Sequence, residues 1–515
     1  MALSKAIRDL AKAGNGFVSC ETMGRVMQML DPAWTPSDSQ RLLAIVDPAK
    51  TGKVSADVLL EHFYGPAERK IKAIEMAIAF SPEDFSKYKQ SVKVQNGNLA
   101  TGYKCAGTFA GRNIELIYQK AEQAGIQCSL SNAVKACFGS SDSPKHVLLV
   151  SGFYVLHKLG AHAEAGCAPG SCETDGPLGV LALVRAFAFR GVYSSLFCDM
   201  HNGPVIKSGY DAMLAYYKAS DPPAAQALEK YVRCLPYVSD NIAINMTATQ
   251  YASFLKHHSA AFPNEAPNPA KLHTRAVCVV SQLAAALESA WGTVKPGSID
   301  CLFALERLGA PYRNIRGKDI SEHTEPIDCL WPLMDESSMM DAKSLAALAE
   351  FKAETRMDSA ATKSLRGILG IKENALTLGI GDGGNEIGMG KVAHLKGVAD
   401  LSPGGEFAAL SVNGTYRACD HVVVATVSNW GGTAFEMAAY AMFKPSVNYT
   451  ATMRSSGKGL TDLEDKILAA IMAKPWLSVD GKYNDMPHSV DGMEFVPAHS
   501  DLYNLLWSLS GADKA

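Results

Sequence analysis

The chain has 515 residues, of which 47% are hydrophobic and 20% charged, enough at ~100–200 residues per domain for two to four domains with a sizeable buried core. A formal net charge of −3 and a pI near 6.5 give no electrostatic case for nucleic acid or an anionic membrane as partner. The longest apolar runs, such as Val147–Val150 and Val422–Val427, fall far short of the ~20 residues that a membrane-spanning helix needs.

In chain order, residues 1–64 read as a small all-α unit, 65–100 as a linker and leading helix, and 101–515 as an α/β domain with a helical insertion around 205–290. Met1–Ala13 is too short and too mixed in charge to read as a transit peptide. Two helix–loop–helix patterns follow, with Gly16 and Gly52 at sharp turns and Val18 and Val54 two residues later. They resemble a pair of EF-hands. Calcium needs oxygen ligands at loop positions 1, 3, 5 and 12. The second loop offers Asp47, Ala49, Thr51 and Val58 there, and the first Ala11, Ala13, Asn15 and Thr22. Neither has the bidentate acid, so no calcium is expected, and the unit reads as a docking surface for a protein partner.

From Val147 onward, short apolar runs alternate with helical periodicity, the pattern of βαβ units and a mainly parallel sheet with helices on both faces. The expected strands are Val147–Val150, Val192–Phe197, Leu376–Ile380 and Val422–Val427. Polar residues gather where they end: Ser151-Gly152, then Asp199, His201 and Asn202, then Gly381-Asp382, then Ser428-Asn429. Ligands sit at the carboxyl edge of such sheets. His201 reads as a general base or as a satisfied histidine. The twelve cysteines include no C-x-x-C pair, which suits a reducing compartment. Cys167 and Cys172 admit a metal or redox role, or a chance pairing in a loop.

Residues 376–392 are the most informative segment. An apolar run enters a loop carrying Gly379, Gly381, Gly383, Gly384, Gly388 and Gly390, with Asp382, Asn385, Glu386 and Lys391 between them. So many glycines imply positive φ angles or close backbone approach. Gly379-x-Gly381-x-x-Gly384 matches the dinucleotide pattern, with Asp400 at the ribose distance, yet Asp382 and Glu386 would repel a phosphate. No nucleotide is expected; a metal, an ammonium group or proton transfer suits the acids better. A tight strand-to-helix turn capped by Asn385 or Glu386 is the bland reading.

This segment resembles the signature of the D-glutamate cyclase family. Ser151-Gly152-Phe153 with Glu173-Thr174-Asp175-Gly176-Pro177-Leu178-Gly179, then Asn314-Ile315-Arg316-Gly317-Lys318-Asp319-Ile320, then Ser428-Asn429-Trp430-Gly431-Gly432 resemble the same family along the chain, over roughly residues 70–510. The resemblance implies closure of D-glutamate to 5-oxo-D-proline with loss of water, in a soluble protein of the mitochondrial matrix or cytoplasm, with association into a larger assembly left open. The alternative is a catalytically silent protein that docks partners through its N-terminal unit.

For that reaction, Asp382, Glu386 and Glu173 are the candidate catalytic acids and bases. Asp382, Glu386 and Asp175 are candidate ligands of a divalent metal, Mg²⁺ or Mn²⁺. Asn385, Arg316, Lys391, Ser428, Asn429, Ser151 and Gly152 are candidate contacts to a small amino dicarboxylate, Arg316 as a bidentate clamp. Asp175 reads equally as the cap of the helix opened by Pro177. Lys391 reads equally as a first-turn helix residue. Trp430 reads as a pocket wall, and Glu436 as structural through a capping box with Thr433.

Overall fold

The computed structural model describes residues 66–79, 128–156, 170–238, 272–309, 359–393, 417–443, 460–473 and 488–510, except 295, 385 and 492. It also describes separate positions within 10–25, 47–56, 117–126 and 333–349, together with 415 and 478–480. The chain forms two compact units, residues 1–73 and 74–515.

In the first unit, β1 (Phe17–Ser19) pairs antiparallel with β2 (Lys53–Ser55), placing buried Val18 opposite buried Val54. The expected all-helical unit therefore contains a two-stranded ribbon. Gly16 and Gly52 take φ +89° and +76°, which only glycine adopts readily. The Asp47 carboxylate accepts the N–H groups of Thr51 at 2.8 Å and Gly52 at 2.9 Å, so this acid closes its own loop.

Helix α1 (Pro66–Ala79) carries the chain from the first unit into the second, where α2 (Leu130–Phe138) follows. Strand β3 (His146–Ser151) leads to the antiparallel pair β4 (Tyr154–Leu156) and β5 (Gly170–Glu173). Next come α3 (Pro177–Ala188), β6 (Tyr193–Phe197), α4 (Gly203–Ser220), α5 (Pro222–Tyr231), β7 (Val232–Cys234), α6 (Leu272–Trp291) and β8 (Ile299–Leu305). The chain continues through β9 (Asp335–Glu336), α7 (Ser359–Ile368), β10 (Ile371–Gly381), α8 (Gly390–Ala393), β11 (Arg417–Ala418), β12 (His421–Val424) and α9 (Ser428–Met442). It closes with α10 (Thr461–Ile471), β13 (Ser478–Val479), β14 (Ser489–Val490), β15 (Met493–Glu494) and α11 (Ser500–Ser510).

Six strands form the central sheet in the order β12-β10-β8-β3-β6-β7, every pair parallel. The chain starts in the middle at β3, winds outward to β7, returns to β8 on the other side of β3, and winds outward again to β12. This is the doubly wound order, with its switch point between β3 and β8. Right-handed crossovers carry α3–α5 to one face and α6 and α7 to the other. Accordingly α3 packs against α9, and α6 against α7. All four expected strands are present; β7 and β8 are additional. Helices α4 and α5 are the β6–β7 crossover and α6 leads into β8; residues 239–271 of the expected helical insertion lie outside the described residues.

Strand β3 is buried at all six positions, as a central parallel strand covered on both faces must be. Phe138, Phe187, Phe303 and Phe435 join α2, α3, β8 and α9, with ring centroids 5.2 Å apart for Phe138–Phe187 and for Phe303–Phe435. Helices α3 and α9 approach closely because neither has a Cβ at the crossing. A Cβ on Gly432 would stand 2.3 Å from the Gly179 carbonyl oxygen, and one on Gly431 2.4 Å from Ile380 Cγ2.

Candidate active site

The carboxyl edge of the sheet around the switch point collects one acidic side chain from each of three segments. Asp175 comes from the turn between β5 and α3, Glu306 follows β8, and Asp382 follows β10. All three are buried, and carboxylate oxygens from the three lie within 4.8 Å of one another. Ser428, the first residue of α9, donates its hydroxyl to Glu306 Oε2 at 2.5 Å. Ser151 Oγ, at the end of β3, is buried without a hydrogen-bond partner among the described residues. It lies 3.1 Å from where a Cβ on Gly176 would stand, as does Glu306 Cβ. The φ of +103° at Gly176 and this crowding both require glycine there.

Glu306 itself has φ +44°, a left-handed conformation that costs a non-glycine residue ~1–3 kcal/mol. Burial first, and then the negative charges of Asp382, Glu386, Asp175 and Glu173, push its carboxyl well above the usual carboxylate range. Three acids this close in a buried site cannot all ionise unless a cation joins them. The next residue, Arg307, is fully buried and donates to Asp199 Oδ2 at 2.7 Å and to the carbonyls of Ser151 and Gly152 at 3.3 and 3.4 Å. Asp199 Oδ1 accepts the N–H groups of His201 and Asn202, both at 2.8 Å. The pair thereby ties the ends of β3, β6 and β8 into the floor of the crevice.

Helices α3 and α9 cap each other. Asp175 Oδ1 accepts the N–H of Asn429 at 2.8 Å, and its Oδ2 that of Ser428 at 2.9 Å. In return, Asn429 Oδ1 accepts the N–H groups of Gly176 at 2.9 Å and Gly179 at 2.8 Å, while its Nδ2 donates to the Thr174 carbonyl at 2.9 Å. Asp175 thus caps α9, while toward α3, the helix that its alternative reading had it cap, it accepts only the Gly176 N–H, through Oδ1 at 3.0 Å. Its oxygens still have lone pairs for a second partner. Asn429, a candidate substrate contact, makes hydrogen bonds through both amide atoms in holding α3.

The glycine-rich loop is closed by its own acid. Glu386 accepts the N–H of Gly383 through Oε1 and that of Gly384 through Oε2, both at 2.8 Å. A Cβ on Gly381 would meet Glu386 Oε2 at 2.7 Å. Glu386 therefore sits on the amide groups that a nucleotide phosphate would use, and it lies outside the Asp175–Glu306–Asp382 group. The loop turns back along β10, where a Cβ on Gly388 would stand 2.9 Å from Gly379 Cα. Lys391 ends up donating to the carbonyl of Asp420 at the start of β12. Asp420 pairs with Thr377, four residues before the carboxyl end of β10, roughly 13 Å back at ~3.3 Å per residue. Lys391 is thereby directed away from the acids.

Glu173 is half-buried at the end of β5, its N–H donating to the Phe153 carbonyl at 2.8 Å. Gly152, φ +106°, has no room for a side chain beside Asn202. The His201 ring packs on Tyr154 at 5.0 Å, and burial lowers its pKa. Trp430 donates to His499 Nδ1 at 2.8 Å and tethers α9 to the C-terminal segment. Glu436 does not close a capping box: α9 already begins at Ser428, and Glu436 makes a bidentate pair with buried Arg185 at 2.9 and 2.7 Å. Glu464 binds the same guanidinium, and its carboxyl is raised to about 7, by burial above all. Arg316, Asn385, Asp400 and Cys167 lie outside the described residues. Glu306, Arg307 and Asp199 were not named as site residues from sequence. The available signal was the run Cys301–Leu305 ending in Glu306-Arg307, which repeats the strand-end pattern of the other motifs.

The family described as D-glutamate cyclase-like, C-terminal, matches residues 109–347 and 356–507. The chain belongs to this family. Among curated proteins, human D-glutamate cyclase, mitochondrial, is 27% identical over 230 residues, covering 41% of this chain and 30% of that protein. The chain thus spans less than a third of the length of that relative. The family-matched region contains all three carboxylates of the crevice. No helix among the described residues is long and apolar enough to cross a membrane.

Proposed function

We propose that the crevice closes D-glutamate to 5-oxo-D-proline. The observation that carries this reading is the group of three buried carboxylates at the switch point of a cyclase-like chain. In the reaction, a C–N bond forms between the α-nitrogen and the γ-carbon while a C–O bond breaks. The two protons shed by the ammonium group leave with that oxygen as water. Carboxyl groups that pass protons between nitrogen and oxygen meet this need without redox chemistry. Asp382, as carboxylate, takes a proton from the ammonium, and Glu306, held protonated by its surroundings, gives one to the departing oxygen. Asp175 orients the site through its caps on α9, and Glu173 adds negative charge that favours the ammonium end of the substrate. Ser151 Oγ is available to the substrate's carboxylates.

The second occupant that the acids admit is Mg²⁺ or Mn²⁺. Three hard oxygen donors beside Ser151 Oγ, which has no hydrogen-bond partner among the described residues, fit such an ion, which when bound would polarise the γ-carboxylate. Asp175, Glu306 and Asp382 would hold it, with Glu386 serving the loop instead. Incubating the purified chain with D-glutamate, and separately with 5-oxo-D-proline, with and without EDTA, tests both forms. The free thiols of the described cysteines and the name of the human relative support a reducing compartment, mitochondrial matrix or cytoplasm. The N-terminal unit is proposed to dock a protein partner.

A further inference from the structure

At the amino end of β10, far from the acids, lies a cavity of about 430 Å³, within the size range of small-molecule sites, ~300–1,000 Å³. Helix α7 presents Thr362, Lys363, Arg366 and Gly367 to it, spaced three and four apart and therefore on one face. Ala361 and Leu365 are the residues this helix buries. Glu373 of β10 and Arg417 of β11 complete the lining that matters here. Asp382 stands nine residues beyond Glu373, roughly 30 Å away at ~3.3 Å per residue; the lining residue nearest the glycine-rich loop is Arg417, whose carbonyl accepts the Gly388 N–H at 3.1 Å.

Among the described residues, the lining sets three cations against one carboxylate. That carboxylate is engaged on the rim, where Lys363 pairs with Glu373 at 2.8 Å. Arg417 is 1% exposed and donates to the Met334 carbonyl at 2.7 Å, which fixes its guanidinium against the cavity wall. Gly367 is the second observation. It lies exposed in the last turn of α7 on the cavity side, and a Cβ there would meet nothing within 4 Å among the described residues. Neither packing nor backbone conformation asks for glycine at this position; it leaves the cavity open. Arginine forks and a threonine hydroxyl are the donors that recognise phosphate and carboxylate groups.

We infer that this cavity binds a small polyvalent anion carrying phosphate or carboxylate groups. Calorimetry and thermal midpoints of the full chain, with inorganic phosphate, AMP and citrate as separate probes, test it. At least one probe is expected to bind with Kd below about 1 mM and to raise the midpoint. Tighter AMP binding marks a nucleotide, equal phosphate and AMP binding marks the phosphate group alone, and citrate binding marks a carboxylate. Arg366→Gln is expected to weaken that binding by about tenfold or more. Gly367→Ala should also weaken it, while holding or raising the midpoint of the unliganded chain, so loss of fold cannot mimic the result. Glu306→Gln should bind as wild type does, whatever becomes of the proposed reaction. The inference is overturned if no probe binds by about 10 mM, if both cavity variants bind unchanged, or if only Glu306→Gln loses binding.

Discussion

Asn429→Ala removes the acceptor of the buried Gly179 N–H and the donor to the Thr174 carbonyl, whereas the Gly176 N–H keeps Asp175 Oδ1 at 3.0 Å. Each buried polar group left unpaired costs ~1–3 kcal/mol, and loss of a helix cap alone costs ~0.5–2 kcal/mol. The expected total for the two groups is about 2–4 kcal/mol, concentrated at the amino end of α3. Because a chain of two compact units need not unfold in one step, the readout should be local. Hydrogen exchange over a peptide spanning residues 174–190 should show protection falling by that free energy. Denaturant unfolding of the same variant should shift in the same direction. Ser428→Ala, which loses only one hydroxyl to Glu306, should cost much less. A loss below about 1 kcal/mol for Asn429→Ala, smaller than a single lost cap, would show that the mutual capping does not hold the two helices.

Burial lowers the pKa of His499 to about 4, so between the unfolded value near 6.5 and about 4 only the unfolded chain takes up this proton. Its contribution is complete above about 6.5 and lost as pH falls through 4, a range of ~2.5 pH units or about 3 kcal/mol. His146, His201 and His421 shift the same way, so the comparison of wild type with His499→Gln at pH 7 and 4.5 isolates this residue. A wild type and variant with parallel pH dependence would contradict the reasoning. Glu386→Gln can accept only one of the two loop N–H groups, so its midpoint should fall by ~1–3 kcal/mol in stability, whereas Asp382→Asn should leave it close to wild type. Equal midpoints for the two variants count against the loop-closing role of Glu386. Gly432→Ala gains helix propensity but drives a methyl group to 2.3 Å from the Gly179 carbonyl. It should destabilise by at least the upper end of the usual ~1–3 kcal/mol for overpacking, and a stabilised variant would refute the close crossing of α3 and α9.

The parts of this structure legible in the sequence are those that local patterns encode. Val147–Val150 and Val422–Val424 are apolar at every position because both faces of the sheet are covered, and glycines mark the turns that need positive φ. Asp175 and Asp382 stood out because each follows a strand within a conspicuous motif. Glu306 did not, since its left-handed turn is imposed by neighbours and carries no glycine to announce it. The exchange of caps was also invisible, because Asp175 and Asn429 lie 254 positions apart and each satisfies a local capping rule without the other. Thr433 and Glu436 show the opposite failure. Their spacing fits a capping box, but the helix starts five residues earlier, and a fully buried arginine 251 positions away claims the glutamate. Glu386 looked like a reactive acid on the same evidence that makes it a loop closure: short-range spacing to glycine amides.

The most direct measurement of the central claim is 5-oxoproline formation from D-glutamate by the wild type and by Glu306→Gln, with and without Mg²⁺ or Mn²⁺, beside their circular dichroism. The amide oxygen that Glu306→Gln introduces can still accept the Ser428 hydroxyl, so the variant should fold as wild type does. Loss of a positioned proton donor lowers kcat by about 10²–10⁴-fold, and that fall is the predicted result. A folded Glu306→Gln within about threefold of wild type, or a wild type that turns over neither D-glutamate nor 5-oxo-D-proline under any of these conditions, contradicts the account.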